Sequence, residues 1–258
     1  MTNLEDLRAN GWQLTQAISP DELEAVLRAI GAQRYHNNHP FHERMRSGAL
    51  SKGAMQAWAL NRYLYQSRIP MKDAALMARM VDTDLRREWR HRIEDHDGVE
   101  GDDGGIERWL KLAEGLGLDR DYVIAESGAL PATHFAVDAY IRYVSDQSLL
   151  AAIASSLTEL FAPTIIADRV SNVLANYDYV SKNSLAYFDK RMTQAPRDSG
   201  FALQYCRDNA VECRDQQEVI DALLFKTGML WAMLDALDYC YVSDVGAPPP
   251  GCFVPDPA

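Results

Sequence analysis

From Pro20 to Tyr241 the apolar residues return every three or four positions and almost nowhere alternate with polar ones. A period near 3.6 buries an apolar stripe only on a helix, whereas a strand needs a period of 2. The pattern excludes a sheet-based architecture and predicts one all-α domain of seven or more helices. The start signals agree. Ser19-Pro20-Asp21-Glu22 places a capping hydroxyl before a proline and acids in a first turn, which predicts a helix to Gly31. Helices follow over 51–80, with Pro70 as a kink, 82–95, 106–116, 119–126, 131–145 and 149–173, the last containing Pro163. Three more are predicted over 179–191, 200–214 and 216–241, and the Gly- and Asp-rich 97–105 reads as a loop. Residues 1–19 are an N-terminal extension, 20–241 the helical domain, and 242–258 a Pro-rich tail or linker, expected to be exposed and dispensable.

With 26 Lys and Arg against 37 Asp and Glu, the chain carries a net charge of −11. So acidic a surface repels phosphate backbones and anionic lipid, which argues against nucleic-acid and membrane partners. No run of about eighteen apolar residues would span a bilayer, and Met1–Asp6 lacks the basic start of a secretory signal. Cys206, Cys213, Cys240 and Cys252 contain no CxxC pair. Cys206 and Cys213, read on one helix, stand roughly 10 Å apart along its axis, too far for a disulfide. Free thiols in a cytoplasmic protein are the expectation.

Five segments place polar groups where a core-facing helix would carry Leu. Arg62, Tyr65, Gln66 and Ile69 share one stripe, which is either an amphipathic face with a snorkelling Arg or the wall of a polar cavity. Arg92 and His96 stand i and i+4 at a helix end, where a His serves either the helix dipole or proton transfer. Glu159 lies among Leu157, Leu160 and Phe161 and needs a cationic partner if buried. Tyr187 and Arg191 repeat the i, i+4 pairing, and Lys226 interrupts an apolar run as a snorkelling edge residue or a buried cation awaiting an anion. The tract Tyr35–His42 holds His36, His39 and His42, but Pro40 breaks the register that would align them on a metal. Of the Glu-x-x-His units a carboxylate-bridged di-iron site requires, only Glu88–His91 fits, so no metal is expected. Phosphate-binding GxxxxGK, dinucleotide GxGxxG, GxSxG and HExxH motifs are absent.

Several ordered blocks resemble one family. They are Tyr35-His36 with His39-Pro40, Asn61-Arg62 through Tyr65-Gln66, Ile69–Ala75, Asp95–Gly98, Asp103–Glu107, Phe135–Tyr140 and Ser155–Pro163. The chain is similar over about 20–241 to the pyrroloquinoline-quinone synthases, the PqqC family. The resemblance implies the compact seven-helix haem-oxygenase-like bundle shared with TenA thiaminases, and a homodimer. It implies a cofactor-free oxidase that closes a ring and oxidises a bicyclic tricarboxylic quinone precursor to pyrroloquinoline quinone (PQQ). O₂ is the co-substrate, H₂O₂ is released, and neither metal nor organic cofactor is used.

Carried over residue by residue, the resemblance implies catalytic roles for His96, Tyr187, Arg191, Glu159 and Lys226. His96 would be the general base, Tyr187 and Arg191 the oxygen pocket, and Glu159 an orienter of cations or proton acceptor. Tyr35, His36, Arg62, Tyr65, Gln66, Arg92, Thr158 and Arg169 would bind the anionic precursor. One position departs: Ile166 stands where the family often has a second histidine, which throws more weight on His96. A PqqD-like domain or partner is expected beyond the tail. The alternatives are a TenA-like hydrolase using Cys206 or Cys213 as nucleophile, a metal-dependent oxidase, and a quinone-binding module without chemistry.

Overall fold

A computed structural model describes residues 3–256, the side chains of residues 163 and 164 excepted. The architecture is all-α. The helices run α1 (Leu4–Ala9), α2 (Pro20–Arg34), α3 (Pro40–Ser47), α4 (Lys52–Met77), α5 (Thr83–Asp97), α6 (Gly105–Gly115), α7 (Arg120–Ala125) and α8 (Pro131–Asp146). They continue as α9 (Leu149–Ala154), α10 (Ala162–Asn176), α11 (Ala186–Asn209) and α12 (Cys213–Tyr241). At α2, Ser19 Oγ accepts from the Glu22 amide while the Glu22 carboxylate accepts from the Ser19 amide, a reciprocal cap. The long α4 packs on α5, α6, α8 and α12, and α12 crosses α2, α8 and α9. The apolar side chains divide into two clusters, one around Leu27, Trp89 and Leu223, the other around Trp58, Trp109 and Phe188.

Four expectations are corrected. The helix expected over 149–173 is divided into α9, a 3₁₀ turn at Leu157–Phe161, and α10. Ser155 and Ser156 return their hydroxyls to the carbonyls of Ala152 and Ile153 at 2.6 and 2.8 Å, competing with the helical ladder. The Ser156 and Glu159 amides bond three residues back, the tighter 3₁₀ pattern. The helices expected over 179–191 and 200–214 are instead largely one, α11, running through Pro196 and Gly200. Tyr187, Arg191, Ala195, Asp198, Ala202 and Cys206 form a single buried stripe along it, and burial of that stripe overrides the local breakers. Cys206 therefore ends one helix while Cys213 begins the next; all four cysteines are free thiols. Within 97–105, Gly98–Val99 pairs antiparallel with Asp102–Asp103.

The fourth correction concerns the tail. Residues 246–255 fold back on the bundle. The Phe253 amide donates to Gly128 O at 2.9 Å, and Tyr241 donates its hydroxyl to Phe253 O at 2.9 Å. The Phe253 ring packs against Tyr122 and Tyr241, and Pro255 covers Gly53 so closely that a Cβ there would lie 2.4 Å from the ring. An aromatic anchor and two hydrogen bonds contribute about 2–3 kcal/mol together. Deleting residues 246–258 is therefore expected to lower the melting temperature by roughly 5 °C. An unchanged thermal transition would show that the tail contributes nothing to the fold.

Candidate functional site

The seam between the two apolar clusters is not closed. It holds a polar cavity of about 950 Å³, mouth included, walled by α4, α5, α10, α11, α12, the Tyr35–His42 segment and the 3₁₀ turn at Leu157–Phe161. The stripe on α4 resolves in favour of the cavity wall: Arg62, Tyr65, Gln66 and Ile69 all face it. Tyr35, His36, His96, Thr158, Glu159, Arg169, Tyr187 and Arg191 line it as well, and Ile166 gives its wall an apolar patch. Three guanidinium groups stand against one carboxylate, so positive charge is concentrated here within an acidic protein.

His96 sits in the last turn of α5, and the chain must turn sharply behind it. Gly98 is left-handed (φ +88°), and a Cβ on Gly104 would lie 2.2 Å from the His96 carbonyl oxygen. Glycine at both positions lets the turn close under the ring. The His96 Nδ1 lies 2.8 Å from the Arg92 carbonyl oxygen, which can only accept, so Nδ1 carries the proton. Nε2 is left with a lone pair. Burial and the nearby Arg191 push the His96 pKa down to about 4, so at neutral pH the ring is an unprotonated base.

Glu159 reaches the cavity from the 3₁₀ turn that the serines create. It accepts from Arg92 Nη2 at 2.8 Å and pairs with Arg191 at 2.9 Å. Burial raises its pKa, but the two guanidiniums outweigh this and hold it well below the usual carboxylate range. Two guanidiniums keep it ionised between them. Glu159→Gln keeps the shape and removes the charge between Arg92 and Arg191, which should cost about 3 kcal/mol of stability, the lower end for a broken buried pair because the carboxylate keeps some exposure. Urea unfolding of the variant measures this, and parent-like stability would refute the assignment.

Two residues stand behind the wall rather than on it. Arg92, expected to bind substrate, is buried and engages Glu159, Asp198 at 3.2 Å and Asp73 at 3.6 Å, its fork turned from the cavity toward α11. Lys226 is buried, its Nζ 2.8 Å from the Tyr65 hydroxyl and 3.2 Å from the Tyr140 ring centroid. Burial, with Lys72 and Arg62 nearby, lowers its pKa well below that of a free amine. Of the two alternatives it is therefore buried rather than a snorkelling edge residue, and it meets the cavity wall through Tyr65.

Sequence reasoning missed Trp58 and His42 as cavity residues. Trp58 lies one turn before Arg62 on the same stripe, and extending that stripe would have found it. His42 was grouped with a metal-like tract. The three histidines of that tract are buried, but His39 caps α3 through Nδ1 and faces Asp235 through Nε2 at 3.0 Å. Among the described residues no three His, Cys, Asp or Glu side chains are grouped to hold a metal. Nor does any cysteine line the cavity. Cys206 is sealed in the core, and burial pushes its thiol up to about 12.

Residues 24–236 match the TENA/THI-4/PQQC family. The chain is 63% identical over 238 residues to the pyrroloquinoline-quinone synthase of Gluconobacter oxydans, covering 92% of this chain and 99% of that protein. It is 60% identical over 232 residues to the bifunctional coenzyme PQQ synthesis protein C/D of Methylorubrum extorquens, covering 90% of this chain and 62% of that one. Among solved structures, a domain with a heme oxygenase-like fold from Shewanella denitrificans superposes with a TM-score of 0.70 at 16% identity, over 85% of this chain and 92% of that one. That likeness speaks to the fold.

Proposed function

Because this chain belongs to the TENA/THI-4/PQQC family and is an enzyme of PQQ biosynthesis, we propose that it carries out the last step of that synthesis. That step is the ring closure and O₂-dependent oxidation of the bicyclic tricarboxylic quinone precursor to PQQ, with release of H₂O₂. The observation that supports this reading is the concentration of Arg62, Arg169 and Arg191 around a neutral His96 base in one cavity. Planar carboxylates are held best by guanidinium forks. His96 Nε2 then takes a proton from the bound precursor, leaving an electron-rich carbanion or quinol that O₂ can oxidise without a metal or organic cofactor. Tyr187 and Arg191, one turn apart on α11, supply an O–H and a cation to the reduced oxygen species. The absence of a cysteine from the cavity wall weighs against a TenA-like nucleophile.

The reading includes a homodimer working in the cytoplasm. It also includes a PqqD-type partner, since the Methylorubrum relative is named for both C and D functions and this chain spans about 62% of it. The test is single-turnover spectroscopy of chelator-treated protein mixed with the precursor under O₂ and under argon. Conversion to the PQQ spectrum under O₂ alone is expected. A bound but unconverted precursor would make this a binding module, and conversion only after added iron would make it a metal oxidase.

The oxygen pocket gives a sharper expectation. Arg191→Ser should still bind precursor but stall at an intermediate with an altered visible spectrum. A parent-like progress curve would leave Arg191 with no role beyond its ion pairs to Glu159 and Asp198.

A further inference from the structure

His42 lies on α3 with its ring buried in the cavity wall, and neither apolar packing nor metal ligation accounts for it. Its Nδ1 is 3.2 Å from Arg169 Nη2. A guanidinium has donors and no acceptor, so Arg169 donates and His42 Nδ1 carries the lone pair. Burial and the nearby Arg169, His36, Arg62 and His39 hold the ring neutral. Its single proton is therefore on Nε2. That atom is buried without a partner, which is costly for an N–H donor.

The neighbouring ring has the complementary defect. His36 Nδ1 is also buried without a partner, and the two ring centroids are 5.0 Å apart at an interplanar angle of 61°. Roughly that separation is spanned by two imidazoles sharing an N–H···N bond, so the rings stand close enough for the orphan donor of one to meet the orphan acceptor of the other. His39, three residues from each of them, is satisfied at both nitrogens.

We propose that His42 is a positioning residue in a directed chain, Arg169 to His42 to His36, that fixes His36 as its Nε2–H tautomer. His36 faces the cavity, and in this tautomer it presents a fixed N–H donor to an oxygen of the bound anionic quinone, a carboxylate or ring carbonyl. A histidine free to swap tautomers would present a lone pair half the time and repel that oxygen. The chain thus tunes the site for an acceptor-rich ligand. This inference rests on the functional reading above for the identity of the ligand, but not for the tautomer.

The test is ¹⁵N-edited NMR of the histidine rings, together with PQQ titration. In the ligand-free wild type, both His36 and His42 are expected as Nε2–H tautomers at neutral pH. His42→Leu should release His36 into a tautomer mixture and weaken PQQ binding about 2-fold, the cost of a binding-competent tautomer populated about half the time. His42→Gln, whose amide nitrogen stands near the place of Nε2, should restore both. An Nδ1–H tautomer of His36 in the wild type overturns the proposal, whether or not any variant folds. So does a His42→Leu protein with unchanged His36 tautomer and unchanged PQQ affinity. If the wild type binds no PQQ, the functional reading fails, and the His36 tautomer still decides the chain.

Discussion

His96→Asn is expected to bind precursor and to convert it 10²–10⁴-fold more slowly, roughly the contribution of a positioned general base. The substitution is selective. The Asn side-chain amide reaches the place of His96 Nδ1 and can keep the 2.8 Å hydrogen bond to the Arg92 carbonyl, so the end of α5 is preserved while the lone pair at Nε2 is lost. His96 is buried among cavity residues, and no other histidine there has its proton fixed on Nδ1 by a backbone carbonyl. Rapid-mixing kinetics with the precursor under O₂ measures the effect. Conversion at the parent rate would remove His96 as the base, and loss of precursor binding would make it a binding residue instead.

The second large effect is acid sensitivity of the fold. His36, His42 and His96 are buried, and burial lowers all three pKa values, helped by Arg62 and Arg169 at the first two and by Arg191 at the third. The unfolded chain binds protons at these rings near pH 6.5, whereas the folded one refuses them. Stability is therefore full above pH 6.5 and falls as the pH drops below it, by up to about 1.4 kcal/mol per pH unit for each ring. Between pH 7 and pH 5 the three together should remove about 5 kcal/mol, a large share of a typical domain's stability. Glu159, whose pKa is lowered, adds to the loss only below its ordinary range. Urea unfolding at pH 7, 6 and 5 gives the slope. Equal stability at all three would mean that the rings open to water or ionise in place.

Both effects depend on burial that the sequence only partly discloses. Periodicity announced an all-α chain because each helix must hide one stripe, and stripes are written locally. The same logic exposed the polar residues on α4, since Arg62, Tyr65 and Gln66 are conspicuous where Leu would serve. Caps were readable for the same reason: the Ser19 and Glu22 groups that satisfy the first turn of α2 lie within four residues of one another.

What the sequence could not decide were outcomes set by partners far along the chain. Whether Arg92 faces ligand or Glu159, Asp198 and Asp73 depends on residues up to 106 positions away. Local pattern also broke α11 at Pro196 and Gly200, where burial of one long stripe kept it whole. It freed a Pro-rich tail that Phe253 anchors between Tyr122 and Tyr241. Histidine chemistry was the least legible. A ring's tautomer is set by whether its other nitrogen meets a carbonyl or a guanidinium: Arg92 O for His96, Arg169 for His42. Residue type and spacing determined which side chains could build a polar cavity. Only the tertiary structure decided which nitrogen holds each proton, because hydrogen-bond direction belongs to the pair and not to the residue.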